Sequence, residues 1–209
     1  MHAIITDGSI SKIINHPKPL VIGDVRYPAR IFSVWTANEL AAIGIIEVTF
    51  DDSKKKDEQW YINTNQTYTY DADAGTVTAT YGDATAKAHA DTTWSQQDSD
   101  DGDLPSDKSV GDVKVEGLKT KLIRTLKSQV ANELARTDWY ITRNAEKSTA
   151  IPSAISTHRD AVRTKQAQME TAITNASDTS ALETLYTYTT DSDGVQQPRP
   201  LGELPILES

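Results

Sequence analysis

The chain has 209 residues, 37% hydrophobic and 24% charged, with a formal net charge of −9 and no cysteine. That length allows one domain or two small ones, and so low an apolar fraction leaves much solvated surface. The acidic balance argues against a nucleic-acid partner, which needs a basic footprint, and the missing thiols exclude disulfides, thiolate metal sites and cysteine nucleophiles.

From the N-terminus, short apolar pairs are broken by Asp7-Gly8, Pro17, Pro19, Gly23-Asp24 and Pro28, a pattern of short strands joined by turns. In "WTANELAAIGI" Thr36 is placed to cap a helix over 37–43, Glu39 can return the bond as a capping box, and Gly44 supplies a left-handed stop. Ile45 to Phe50 then reads as a strand. Lys54, Lys55 and Lys56 are flanked by Asp51, Asp52, Asp57 and Glu58, so this basic run is read as a solvated loop. Two alternating segments around Asp73-Ala74-Gly75 predict a β-hairpin, with Tyr68 and Tyr70 on one face and Val77, Ala79 and Tyr81 on one face of the return strand.

Periodicity then stops. The stretch from 96 to 112 gathers Asp, Ser, Gly and Pro and reads as an acidic linker; its carboxylates do not fall at EF-hand positions, since counting from Asp98 the sixth and twelfth residues are Asp103 and Ser109. Beyond it, Val115, Leu118, Leu122, Leu126, Val130 and Leu134 recur at threes and fours and predict a helix with one apolar stripe. After Pro152, Ile155, Val162, Met169 and Ala176 repeat every seven residues, with His158 and Lys165 in the companion positions. An antiparallel helical hairpin with coiled-coil-like character accounts for both stripes, and the stripe of the second helix is expected to be covered only in part. The Gly- and Pro-containing end reads as an extended tail.

The expected fold class is therefore α+β. Its parts are a β-rich module with one short helix and a hairpin (1–95), the linker (96–112), a helical module (113–189) and the tail (190–209). No apolar run approaches the ~20 residues of a membrane span, and the N-terminus lacks a basic segment followed by an apolar one. The expectation is a chain made in the cytoplasm without membrane insertion. The sequons at Asn65 and Asn175 are read as chance.

No glycine elbow, phosphate loop or metal-ligand spacing stands out, so the expectation is a non-enzymatic protein with no catalytic residues, no cofactor and no metal. The stretch that asks for an explanation is "ELARTDWYITRNAEKSTAIP". Trp139, Tyr140 and Arg143 are the residue types of interface hot spots and would anchor a partner. Alternatively, Thr137 or Asp138 caps a short helix, Trp139 packs beneath the two longer ones as the plug of a corner, and Arg143 pairs with Glu146 on the surface. The second reading is taken as the expectation, with Ile155, Val162 and Met169 as the apolar face that joins subunits or partners.

"YPARIFSVWTANELAAIGIIEV", "DEQWY" and "LARTDWYITRNAEKSTAIPSAISTHRDAVR" together resemble a group of tailed-bacteriophage proteins related to tail fibres and their assembly proteins. Tyr27, Pro28, Glu39, Gly44, Ile45, Asp57, Glu58, Tyr61, Asp138, Trp139, Arg143, Glu146, Pro152, Arg159 and Arg163 carry it. The hairpin at 60–82 and the acidic segment depart from the pattern. The resemblance implies a structural protein of the virion tail, at the fibre or baseplate, acting through contacts with other tail proteins as an oligomer or in a heteromeric complex. Its alternative implication is a tail-fibre assembly chaperone that is not retained in the particle.

Overall fold

The computed structural model describes residues 1–64 and 66–207, so Asn65 of the first sequon and the last two residues of the tail lie outside it. The chain divides into two compact units, Met1–Thr85 and Ala86–Ser209. Together they are α+β, strands dominating the first and helices the second.

In the first unit Asp7 and Gly8 both take positive φ, 50° and 73°, the geometry of a tight hairpin turn. They join β1 (His2–Thr6) to β2 (Ser9–Ile14). The register shifts between Ile4 and Ile5, so that Ala3 faces Ile13 and Ile5 faces Ile10. This bulge lets Ile10 and Ile13, three residues apart, reach the same core. A second hairpin, β3 (Leu20–Ile22) and β4 (Val25–Tyr27), leads to α1 (Ile31–Val34) and α2 (Ala37–Ala42). The capping box at α2 forms as its sequence requires: the Thr36 amide donates to Glu39 Oε2 at 2.7 Å and the Glu39 amide to Thr36 Oγ1 at 3.3 Å. Gly44 ends that helix at φ 77°, and a Cβ there would lie 2.7 Å from the Ile5 carbonyl oxygen.

The chain continues as β5 (Ile45–Asp51), β6 (Tyr61–Ile62), β7 (Thr67–Asp71) and β8 (Thr76–Thr80). Strands β7 and β8 form the expected hairpin, with Tyr68 opposite Ala79 and Tyr70 opposite Val77. The sheet runs β2-β1-β5-β8-β7, β5 and β8 being parallel with Val48 opposite Val77. Its two edge strands, β2 and β7, approach one another, so the sheet curls around Ala3, Val48, Val77 and Ala79. A second cluster, Ile31, Leu40 and Ile45, lies under α1 and α2.

Strand β9 (Thr85–Ala86) spans the division, which falls ten residues before the expected boundary near 95. The acidic stretch beyond it is folded. Strand β10 (Thr92–Thr93) pairs with β11 (Val113–Val115) and brackets α3 (Gln96–Asp100). Helix α3 carries a Ser95–Asp98 capping box, and Asp98 also bonds Lys114, whose ammonium lies 4.4 Å from the centre of the Trp94 ring. Asp98, read as linker composition, is thus a cap and ion-pair group.

Helices α4 (Leu118–Ala135), α5 (Asp138–Lys147), α6 (Ser153–Asn175) and α7 (Thr179–Tyr186) follow. Helices α4 and α6 are antiparallel: Lys119 Nζ donates to the Thr174 carbonyl at 2.8 Å near one end, and His158 Nε2 lies 3.0 Å from Glu133 Oε1 near the other. Leu118, Leu126 and Val130 of α4 are buried, as are Ile155, Val162, Met169 and Ile173 of α6. The stripe expected to be covered only in part is therefore closed within the chain. The pair is a helical hairpin; coiled-coil packing is not shown by it. The C-terminal stretch also departs from a simple extended tail. Strands β12 (Thr189–Thr190) and β13 (Gln196–Gln197) form a hairpin, and buried Leu201 donates its amide to the Leu185 carbonyl at 3.0 Å.

Candidate functional site

Trp139, Tyr140 and Arg143 lie on α5, which is inserted at one end of the α4–α6 hairpin, and the start of α4 lies at the other end. Gly117 precedes α4 where the backbone passes so close to Ala90 that a Cβ would sit 2.3 Å from its carbonyl oxygen. Asp91 Oδ1 accepts from the Gly117 amide at 2.7 Å and Oδ2 from the Thr120 hydroxyl at 2.8 Å. A carboxylate thus caps α4 from a distant part of the chain, and these bonds hold its pKa below the usual range.

At the far end of α4, Thr137 is buried and its hydroxyl donates to the Leu134 carbonyl at 3.0 Å. Arg159, on α6 and only 8% exposed, reaches into this corner. Its Nη1 lies 2.8 Å from Leu134 O, 2.7 Å from Thr137 Oγ1 and 2.8 Å from Asp138 Oδ1. One guanidinium thereby satisfies a helix-end carbonyl, a buried hydroxyl and the first carboxylate of α5. The opposite end of α5 is fixed as well. Ser148 takes the left-handed conformation at φ 52° with its amide on the Asn144 carbonyl, and the Asn144 side chain donates to Thr149 O at 2.8 Å.

Between these two anchors α5 buries no residue at all. Trp139 is 52% exposed, which overturns the reading of it as a corner plug. The plug is Thr137 with Arg159; a short amphipathic helix has no obligation to turn its largest ring inward when two smaller groups already close the corner. Trp139 instead packs on Tyr140, ring centres 4.0 Å apart and planes 35° from parallel. The Arg143 guanidinium lies 4.6 Å from the Trp139 ring centre and 5.5 Å from that of Tyr140. The expected Arg143–Glu146 pair is replaced by this stacking. Arg143 Nε is shut off from water without a hydrogen-bond partner.

Of the six residues named from the sequence, Trp139, Tyr140 and Arg143 come together on α5, while Ile155, Val162 and Met169 are core. Among the described residues no group of three or more His, Asp or Glu is placed to hold a metal ion, and no helix is long and apolar enough to cross a membrane. No family model, curated protein or solved structure matches the chain. Sequence reasoning missed the role of Arg159. Its signal was an arginine on an otherwise apolar helical face, beside His158, at a place where only a paired charge survives burial.

Proposed function

We propose that this chain is a non-enzymatic structural component of a bacteriophage tail, at the fibre or baseplate, working through contacts with other tail proteins. The resemblance of its sequence to tail-fibre-related proteins supplies the setting. The observation that carries the reading is the build of the hairpin end, where the residues of that resemblance have separate tasks. Arg159 and Asp138 lock the corner at 2.8 Å, Pro152 stands at the start of α6, and Trp139 and Arg143 are left as a rigid outward-facing cluster. A helix held at both ends with no fully buried residue supports a role in contact with another protein.

Quantitative mass spectrometry of gradient-purified particles of the phage that encodes the chain tests this. A fixed copy number relative to the major tail proteins is the expected result. Loss from the particles, with binding to the isolated fibre protein, would assign it to fibre assembly instead.

A further inference from the structure

We propose that the outer face of α5 is the docking site for an acidic peptide segment of another protein, its apolar side chain held by Trp139 and Tyr140 and its carboxylates by Arg143 and Lys147. This deepens the reading above and rests on it only in taking the chain to act through protein contacts. Trp139, Arg143 and Lys147 are spaced i, i+4, i+8, so they line one side of the helix. Arg143 is a cation without a carboxylate: among the described residues it makes ring contacts only, and its Nε has lost water without gaining an acceptor. Stacking on two rings fixes the guanidinium in place, so a carboxylate arriving there meets a group that loses little further freedom.

The occupant's class follows from size and charge. Ten residues of helix, about 15 Å long and about 10 Å across, present roughly 150 Å² in outline, well short of the ~800 Å² per partner of a stable protein pair. A second copy docked symmetrically would offer only the same small face. An anionic membrane would meet a chain of net charge −9. A short acidic segment avoids all three difficulties and meets the cations in chemistry they lack.

The test is to pan a displayed random-peptide library against the full chain and measure affinities of the enriched peptides. Enrichment in Asp and Glu is expected. Binding should fall about tenfold or more with Arg143→Gln or Trp139→Ala, as for an interface hot spot, weaken as salt is raised, and be unmoved by Lys127→Gln on exposed α4 surface. Melting temperatures of the variants should stay within a few degrees of the parent's, which separates lost docking from lost folding. No acidic enrichment, or equal binding by parent and both variants, overturns the proposal. So does concentration-dependent self-association of the parent that these substitutions abolish, which would give the face to a second copy. Retention in virions can hold while this fails, so the two readings fall separately.

Discussion

Arg159 of α6 and Asp138, the first residue of α5, meet at 2.8 Å, one side chain almost wholly buried and the other largely in solvent. The asymmetry locates the energy. Asp138 contributes as a surface pair does, modestly, whereas the inward contacts of Arg159 with Leu134 O and Thr137 Oγ1 have no water to replace them.

Arg159→Ala is therefore expected to destabilise the second unit by about 2–4 kcal/mol, because it removes three charge-assisted bonds to Leu134 O, Thr137 Oγ1 and Asp138 Oδ1 and empties a buried corner. Asp138→Ala should cost less than about 1 kcal/mol. Urea unfolding of both variants checks the ranking; equal losses would mean that the surface half of the pair dominates.

Trp139→Ala should leave stability within about 1 kcal/mol of the parent, since the ring is half exposed and its contacts are with Tyr140 and Arg143 on the same helix. Met169→Ala, at a fully packed position of α6, should cost about 2–5 kcal/mol. Thermal melts of the two, side by side, distinguish a surface cluster from a core position.

Local signals in the sequence were enough for the elements that are made locally. Thr36, Glu39 and Gly44 specify α2 and its stop within nine residues, Asp73 to Gly75 turn a hairpin whose strands alternate, and the stripes of α4 and α6 need each other. Ser95 and Asp98 carried the same kind of signal for α3, but the surrounding Asp-rich composition masked it. What was not legible depends on distant groups. The parallel register of β5 on β8 and the cap that Asp91 gives α4 join residues far apart in the chain. The outward face of Trp139 follows from Arg159 filling the corner, and no spacing within α5 reports that.

Gly117→Ala should be among the most damaging single changes, although it adds one methyl group. The added carbon would lie 2.3 Å from Ala90 O and 2.8 Å from His89 O, both backbone atoms that cannot rotate away. The start of α4 must then move and the Asp91 bonds with it. Loss of the cooperative transition, or a fall of more than about 2 kcal/mol, is expected on chemical denaturation.

Acid should weaken the second unit through its caps. Asp91, Asp98 and Asp178 all have pKa values lowered by hydrogen bonds, Asp98 chiefly by Lys114, Asp91 by the Gly117 amide and Asp178 by the Ala181 amide. A carboxylate depressed in the folded state binds its proton more readily when unfolded. Its stabilisation is thus complete above the ordinary carboxylate range and lost as pH falls through and below it. Circular-dichroism melts from neutral pH downward should show a plateau and then a decline below about pH 4. Asp91→Asn should flatten that decline while lowering the plateau.

The hydroxyl of buried Thr179 donates to the Lys87 carbonyl at 2.6 Å, so the first residues of the second unit are tied to the beginning of its last helix. Asp91 reaches Gly117 and Thr120, and Leu201 reaches back to Leu185. During synthesis the opening stretch of this unit leaves the ribosome long before the groups that hold it exist. The sheet within Met1–Thr85 has its strands by then and can close while translation continues, but the helical unit must wait until Thr179 and Leu201 have emerged. The joining of Lys87 to Thr179 is consequently a late event in folding.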